Sequence, residues 1–380
     1  MQRPRPRRPP GRNPASAARA DRSAARRGPG ALPLVAFAAL LVPCLSAPKP
    51  APAPVHAIYV TGWTFGGPRL DSLIRLADTT EVNAFVVDVK DDTGYLTYLS
   101  KVPTAIAAGA NGKPRTTDAA RRLALLHKHH IRAIARIVIA KDPLLAAARP
   151  AWAIQDDKGA AWRDSGGSTW LDAYNDSVWT YAADLAAEAV KLGFDELQFD
   201  YLRFPDAVEP GIANAVFPAR HGEETTRDGI LRNLRLLRGR VKPLGVPFTI
   251  DVFGFTASAE TPMPIGQVWE DLVSTADVVL PMVYPSHYRH AFHGIDDPNA
   301  VPYRVVHLAL EDGMTRAARI AAPAEIRPYL QAFTQGAPPY TPEMVREQIR
   351  ATEELGIKSW ALWNAESVYP PAIFRRKRRH

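Results

Sequence analysis

Cysteine is almost absent from this 380-residue sequence, whose only one, Cys44, lies near the amino terminus. The rest of the chain can form no disulfide, so its fold has to be held by a hydrophobic core. Sets of Cys and His at metal-ligand spacing are also missing, as is an H-E-x-x-H motif. His127, His129 and His130 cluster at the end of a predicted helix, where solvated side chains are the simpler interpretation. We predict no metal site and no cofactor.

A glycine-rich phosphate-binding loop is missing as well. The segment 61–67, Thr-Gly-Trp-Thr-Phe-Gly-Gly, follows the first apolar run but lacks the G-x-G-x-x-G spacing. It also places the bulky Trp63 inside the turn, where a dinucleotide-binding loop needs small residues. The sequence therefore gives little support to nucleotide binding.

Acidic residues are scarce at the two ends of the chain and common between them. Residues 1–30 hold nine Arg and one Asp, and residues 375–380 add five basic side chains. The two ends therefore account for the positive sign of the formal net charge of +8. The body between them holds 33 basic and 38 acidic residues and is mildly acidic. A basic face on the folded part is not predicted, which argues against a nucleic-acid partner.

The sequence has no uninterrupted apolar run of the length of a membrane span. Its apolar segment 31–47 follows the Arg-rich start, contains Pro33 and Pro43, and ends in small residues, a pattern typical of a secretory signal. Either it is cleaved or it stays as an N-terminal membrane anchor. We expect an exported protein: periplasmic, extracellular or anchored on the outer face of the membrane. Lipidation at Cys44 is disfavoured because Pro43 precedes it.

The sequence divides into four segments. Residues 1–47 are the basic region with the signal or anchor, and residues 48–54 form a stiff Pro/Ala linker. Residues 55–370 are predicted to fold as one domain, followed by a basic tail over 371–380. The sequence does not indicate an oligomeric state.

From Val55 onward, short apolar runs alternate with amphipathic stretches, the pattern of a parallel sheet covered by helices. Eight runs separated by helices or long crossovers predict a single (β/α)8 barrel, the TIM-barrel fold, rather than a doubly wound sheet. The predicted strands are 56–60, 83–89, 133–138, 196–201, 247–253, 277–284, 327–333 and 358–364. The helices predicted between them are 70–78, 117–129, 176–191, 227–241 and 341–355.

Polar side chains gather where these strands end. The fourth strand runs into Asp200 and is stopped by Pro205, and a carboxylate at the end of a buried strand is poorly placed for stability. The carboxyl ends of barrel strands form the rim that carries the active site in barrel enzymes. The residues expected at this rim are Asp88, Lys90, Arg136, Asp200, Tyr201, Arg203, Asp251, Tyr284, Trp363 and Asn364.

Acids and aromatics on one rim are what hydrolysis of a glycosidic bond needs. One carboxylic acid protonates the leaving oxygen, and a second carboxylate acts as nucleophile or activates water. We predict Asp200 as nucleophile or base, Asp251 as general acid and Arg136 as the group that keeps Asp200 ionised. The other rim residues would bind the sugar or support the acids, with Tyr284 and Trp363 either as ring-stacking platforms or as packing at the rim. Structural alternatives remain open: Asp200 paired with Arg203, Asp251 in a buried ion pair, and Asp88 paired with Lys90.

Several of these motifs resemble a known family. Val-Asp-Val-Lys-Asp-Asp-x-Gly at 87–94, Ile-Ala-Arg-Ile-Val at 134–138, Leu-Asp-x-Tyr-Asn at 171–175, Phe-Asp-Tyr-Leu-Arg-Phe-Pro at 199–205 and Trp-x-Leu-Trp-Asn at 360–364 resemble the bacterial "putative glycosyl hydrolase" domain family. The resemblance covers about residues 55–370 and implies a barrel glycosidase. A more distant similarity to α-amylase-like barrels implies that Asp200 is the nucleophile. Those enzymes have a Glu as the acid on strand five, whereas this chain has Asp251.

Two other functions compete with a glycosidase acting on a cell-envelope polysaccharide. The first is a non-catalytic barrel that binds the same carbohydrate, keeping the aromatics without using the acid pair. The second is hydrolysis of an amide or ester bond, which is disfavoured because no nucleophilic Ser or Cys with a His partner is recognisable.

Overall fold

The computed structural model describes residues 53–206, 212 and 214–377. Within them, parallel strands form a closed ring, because each strand pairs with its neighbours, β1 pairs with β9, and β5 pairs with β6. The strands are β1 (His56–Val60), β2 (Ala84–Lys90), β3 (Arg132–Val138), β4 (Glu196–Asp200), β5 (Phe248–Phe253), β6 (Val278–Val283), β7 (Glu325–Ile326), β8 (Tyr329–Gln331) and β9 (Trp360–Trp363). The prediction of a single (β/α)8 barrel is confirmed.

The seventh position of the barrel is occupied by two short strands, β7 and β8, which both pair with β6. They are separated by Arg327 and Pro328, and a proline has no N–H to donate to a neighbouring strand. The strand predicted over 327–333 therefore appears in a different form, with its central part at Tyr329–Gln331 and a separate start at Glu325–Ile326.

Ten α-helices lie in the described residues, and two of the longest begin at side-chain caps. The Asn175 side chain accepts from the N–H of Ser177 at the start of α6, and Thr225 forms a capping box with Asp228 at α7. The helices are α1 (Gly62–Gly66), α2 (Leu70–Thr79), α3 (Pro103–Ala107), α4 (Ala119–Lys128), α5 (Pro143–Ala148), α6 (Asp176–Leu192), α7 (Thr226–Val241), α8 (Trp269–Thr275), α9 (Pro302–Ala317) and α10 (Pro342–Glu354). None of these helices has both the length and the apolar character needed to cross a membrane.

The apolar side chains form two cores. The larger one fills the space between the strands and the helices, and the smaller one lies inside the barrel around Val86, Ile134 and Leu280. Because side chains alternate along a strand, Glu196, Gln198 and Asp200 of β4 all project to the same side of the sheet. Buried Glu196 pairs with Arg327 at 2.6 Å, so the opposite end of β4 from Asp200 has an ion pair of its own.

Residues at the beginning and the end of the described domain both contact the short segment 79–83. The Asn83 side chain donates to the carbonyl of Pro54 at 2.8 Å, and the N–H of Lys377 donates to the carbonyl of Thr79 at 3.0 Å. Residues 371–377 of the predicted tail thus pack on the domain, with Phe374 buried. The predicted signal or anchor segment 31–47, the first part of the linker and residues 378–380 lie outside the described residues.

Candidate active site

The buried side chain of Arg136, on β3, contacts three carboxyl groups from three other strands. Its Nη1 donates to Oδ1 of Asp88 on β2 at 2.6 Å. Its Nε and Nη2 donate to Oδ2 of Asp200 on β4 at 3.0 and 2.5 Å, and its Nε lies 3.9 Å from Oδ2 of Asp251 on β5. The structure therefore brings together four of the residues that the sequence placed at one rim.

Asp200 is the last residue of β4 and accepts three hydrogen bonds. Besides the two from Arg136, its Oδ1 accepts one from the N–H of Tyr201 at 2.6 Å. Tyr201 has a φ of 53°, in the left-handed region that non-glycine residues rarely adopt, and such strain is often found at functional sites. Three N–H donors around one carboxyl group suit its ionised form.

Asp251 is in a different electrostatic position, with only 1% of its surface exposed. Its Oδ2 accepts from Nε2 of Gln198 at 2.9 Å, and its Oδ1 has no hydrogen-bond partner among the described residues. Burial, and then the negative charge of Asp200, raise the pKa of Asp251 well above its usual value. Burial and the neighbouring negative charge thus both favour the neutral form of this carboxyl group.

Asp88 lies on the other side of Arg136. Burial raises the pKa of Asp88 to about 6, while the Arg136 charge and the hydrogen bond from the Tyr59 hydroxyl act in the opposite direction. The ring of Tyr59 stacks on that of Trp363, with centroids 3.8 Å apart, and the Arg136 guanidinium lies 4.9 Å from the Trp363 centroid. Trp363 thus packs against the charged centre.

A cavity of about 350 Å³ opens beside Asp200, and we call it the rim cavity. It contains Tyr284, whose buried hydroxyl has no hydrogen-bond partner among the described residues. Asp251 does not line it. The described residues that line it are Asp200, Tyr201, Arg203, Asp206, Phe253, Met282, Tyr284 and His287. Asp200 is therefore the member of the predicted acid pair that reaches this space.

Two of the predicted residues make other contacts. A register shift in β2 separates Asp88 from Lys90, and Lys90 pairs with Asp142 at 2.6 Å instead of with Asp88. Asn364 donates to the carbonyl of Ala332 at 2.6 Å, and its side-chain oxygen accepts from two N–H groups of the following turn. Lys90 is thus buried in its ion pair, and Asn364 is held by backbone groups around it, while their role in binding a sugar stays a prediction.

As with Asp88 and Lys90, the ion pair considered from the sequence for Asp200 is not the one that forms. Asp200 pairs with Arg136 and not with Arg203, whose guanidinium lies 5.1 Å from the ring of Tyr201 and 5.2 Å from that of Trp170. Arg203 still lines the rim cavity, where its Nη1 is 3.3 Å from Oδ1 of Asp206.

The histidine cluster at the end of α4 forms ion-pair contacts. His127 and His129 lie 3.0 Å from carboxylate oxygens of Asp195 and Asp78, respectively. Over the described ranges, no group of three or more His, Cys, Asp and Glu side chains is arranged to hold a metal ion. The space between Asp88, Asp200 and Asp251 is filled by the Arg136 guanidinium, which supplies the positive charge there.

Sequence reasoning missed several residues of this site, among them the polar side chains of Tyr59, Gln198, Asp206 and His287. Tyr59 and Gln198 could have been found by alternation, because each lies on the inward side of its strand, and Gln198 is two residues before Asp200. Asp206 and His287 follow the ends of β4 and β6 in irregular segments, where no periodicity indicates which side chains meet.

Comparisons with known proteins agree with this fold. A family model described as "Putative glycosyl hydrolase domain" matches residues 57–369. No curated protein matches the sequence. The structure is similar to the glycoside hydrolase domain of PgaB (BpsB) from Bordetella bronchiseptica, with a TM-score of 0.58 and 15% identity over 86% of this chain and 100% of that one.

Two other solved structures have lower TM-scores. A hypothetical protein from Ruminiclostridium thermocellum is 39% identical over 48% of this chain and 92% of its own, with a TM-score of 0.44. An α-galactosidase from Thermus thermophilus is 17% identical over 85% of this chain and 60% of its own, with a TM-score of 0.48.

Proposed function

The chain belongs to the "putative glycosyl hydrolase" domain family, and from this premise we propose that it hydrolyses or transfers a glycosidic bond of a poly- or oligosaccharide by a two-carboxylate mechanism. The observation that carries the proposal is the contrast around Arg136. Asp200 is hydrogen-bonded as an ionised carboxylate, while burial holds the pKa of Asp251 well above its usual value. Neighbouring carboxyl groups driven toward opposite protonation states are how acid and base roles are assigned in enzymes.

Asp200 is the proposed nucleophile or base, because it lines the rim cavity and Arg136 supports its negative charge. Its separation from Asp251 is limited by their shared partner. Arg136 Nε is 3.0 Å from Oδ2 of Asp200 and 3.9 Å from Oδ2 of Asp251, so these oxygens are no farther apart than the sum of the two distances. The separation falls short of the roughly 6.5–9.5 Å of inverting pairs as long as the angle at Nε between the two contacts is below about 140°. On this ground we propose retention of configuration.

Asp251 is the proposed proton donor because burial raises the pKa of this carboxyl group well above its usual value and so favours its neutral form. Among the described residues, Asp206 is the other carboxyl group that lines the rim cavity, and it is the competing candidate for this role. Asp88 would hold Arg136 in place through its hydrogen bond with Nη1. The unpartnered hydroxyl of Tyr284 would hydrogen-bond a hydroxyl group of the sugar.

The test is a glycan-release screen on isolated cell-envelope polysaccharides, with the wild-type chain beside Asp200→Asn. We expect wild type to release reducing ends from at least one polymer, and the variant to release none while still binding that polymer. Release that is unchanged in Asp200→Asn would contradict the proposed nucleophile. The anomeric form of the first product, followed by NMR, tests retention.

A non-catalytic carbohydrate-binding barrel is the second candidate, and one observation favours it. Of the two carboxyl groups assigned to catalysis, only Asp200 lines the rim cavity, while Asp251 is 1% exposed. Glycan binding that is equal in wild type and Asp200→Asn, with no release by either protein, would support this candidate.

The proposal includes export and an envelope substrate. It is supported by the Arg-rich start followed by the apolar segment 31–47. Fractionation of cells that produce the full chain, with protease added to intact cells or spheroplasts, tests this part. Protein found only in the cytoplasmic fraction would contradict it.

A further inference from the structure

A second cavity lies beside the rim cavity, and the two share Phe253 and His287 in their linings. Its volume is about 420 Å³, within the range of about 300–1,000 Å³ that is usual for ligand pockets. We call it the aromatic cavity because Phe255, Tyr288 and Phe292 form much of its wall. The two cavities are therefore neighbours at these two side chains.

The three rings are held in a fixed arrangement. Phe255 contacts Tyr288 and Phe292 edge-on, with centroids 6.4 and 6.3 Å away, while Tyr288 and Phe292 are 4.5 Å apart. The turn that carries Phe255 lies close to β6, because a Cβ added to Gly254 would be 2.2 Å from the carbonyl oxygen of Met282. Tyr288 and Phe292 are buried, whereas Phe255 is 42% exposed, which leaves one aromatic face open at the cavity.

The charge of the aromatic cavity differs from that of the rim cavity. Among the described residues that line it, none is acidic, and Arg289, His287 and His290 are its charged or titratable members. Arg289 is exposed and has neither an ion pair nor a side-chain hydrogen bond within the described part of the chain. An unpaired cation beside exposed aromatic surface suits a ligand that is apolar on one face and negatively charged at its edge.

We propose that the aromatic cavity binds a negatively charged sugar residue of the substrate, next to the residue held in the rim cavity. The C–H face of the sugar ring would pack on Phe255, and its carboxylate would pair with Arg289. This inference rests on the proposed glycosidase function and narrows its substrate to an acidic oligosaccharide at least two residues long.

The test measures binding by calorimetry, with full-length Asp200→Asn as the background so that no probe is consumed. The probes are oligomers of galacturonate, mannuronate and a glucuronate-containing repeat, each beside its carboxyl-reduced neutral form. We expect at least one acidic oligomer to bind about tenfold or more tightly than its neutral form. Arg289→Gln should abolish that preference, whereas Phe255→Ala should weaken both members of the pair to a similar degree.

Arg304→Gln is the matched control, since Arg304 is also an exposed arginine and lies on α9, outside the lining of either cavity. It should keep the preference for the acidic form. The inference is overturned if no acidic oligomer is preferred, or if Arg289→Gln retains the preference. An acidic oligomer that binds through Arg289 but is not cleaved by wild type would refute the glycosidase and keep the binding site. Cleavage of neutral oligomers without any effect of Arg289→Gln would support the glycosidase and refute the proposed binding site.

Discussion

Asp200 and Asp251 share Arg136 unequally. Two nitrogens of the guanidinium donate to Asp200, whereas the shortest contact with Asp251 is 3.9 Å. Two acids on adjacent strands, inside the same barrel, are thereby given opposite electrostatic environments: one is compensated by a cation and the other is left to burial. At this rim the Arg136 charge supports the ionised form of Asp200, while burial and the Asp200 charge favour the neutral form of Asp251.

The identity of the proton donor can be tested by changing the leaving group. If Asp251 is the donor, Asp251→Asn should lower kcat/KM on the natural glycan by about 10²–10⁴-fold. The same variant should lose far less of its kcat/KM on an aryl glycoside with an acidic phenol, because this leaving group departs without protonation. Asp206→Asn is the matched comparison at the other carboxyl group of the rim cavity. The reverse pattern, with the leaving-group effect confined to Asp206→Asn, would transfer the role to Asp206.

Removal of Arg136 should destabilise the folded protein, because it leaves buried carboxyl groups without their cation. We expect Arg136→Gln to lose about 3–5 kcal/mol of unfolding free energy at pH 8. The loss should be smaller at pH 5, where Asp88 can take up a proton and become neutral. Urea unfolding at the two pH values measures this, and Arg136→Gln combined with Asp88→Asn should recover part of the loss at pH 8. An identical loss at both pH values would contradict the explanation.

The wild-type protein should lose stability as pH rises from about 4 to 6. Burial raises the pKa of Asp88 to about 6 from its ordinary 3.8, so the folded protein holds a proton in this range that the unfolded chain has released. By linkage, the free energy of unfolding then falls with rising pH, by up to about 1.4 kcal/mol per unit for each such group. Burial also raises the pKa of Asp172 to about 6.

Unfolding measured across pH 4–7 should show a shallower slope in Asp88→Asn than in wild type. Asp172→Asn is the control, because Asp172 accepts from the backbone N–H groups of Tyr174 and Ala219 and does not line the rim cavity. It should reduce the slope by a similar amount without affecting glycan binding. A slope that neither substitution changes would mean that these carboxyl groups are not protonated in the folded state.

Lys90 should be needed for stability rather than for sugar binding. Its ammonium and the carboxylate of Asp142 are both almost fully buried and lie 2.6 Å apart. Lys90→Met would leave Asp142 as an unpaired buried charge, so we expect a loss of about 3–5 kcal/mol by urea unfolding. Adding Asp142→Asn removes that charge and should restore much of the loss. Glycan affinity of the double variant, measured where it is folded, should match wild type; a clear drop would return Lys90 to the binding site.

The sequence was informative where strand alternation and barrel topology decide the outcome. Asp200, Arg136 and Asp88 could be placed at one rim because parallel strands end on the same side of a barrel, and the structure brings them into contact. The sequence did not indicate that Lys90 pairs with Asp142, because the register shift after Asp88 has no signature in a run of buried residues. Asn364 is a similar case: its amide is used by backbone groups of its own turn, which its position at a strand end does not indicate.

Loop residues were beyond the reach of the sequence for another reason. Asp206 and His287 are brought to the rim cavity by irregular segments after two strands that are distant in the sequence. Their meeting depends on tertiary packing, and local propensity carries no information about it. The same holds for Arg289, whose exposure without a partner is visible only once the neighbouring elements are in place.

Both ends of the barrel contact residues 79–83, which makes the domain suitable for circular permutation. Because Pro54 and Lys377 each hydrogen-bond to this short segment, a brief linker could join them, and new termini could be opened in an exposed loop elsewhere. β1 begins at the end of the barrel opposite the Asp200 rim. The domain is therefore suited to insertion into a host protein as a cassette, with its rim directed away from the points of attachment.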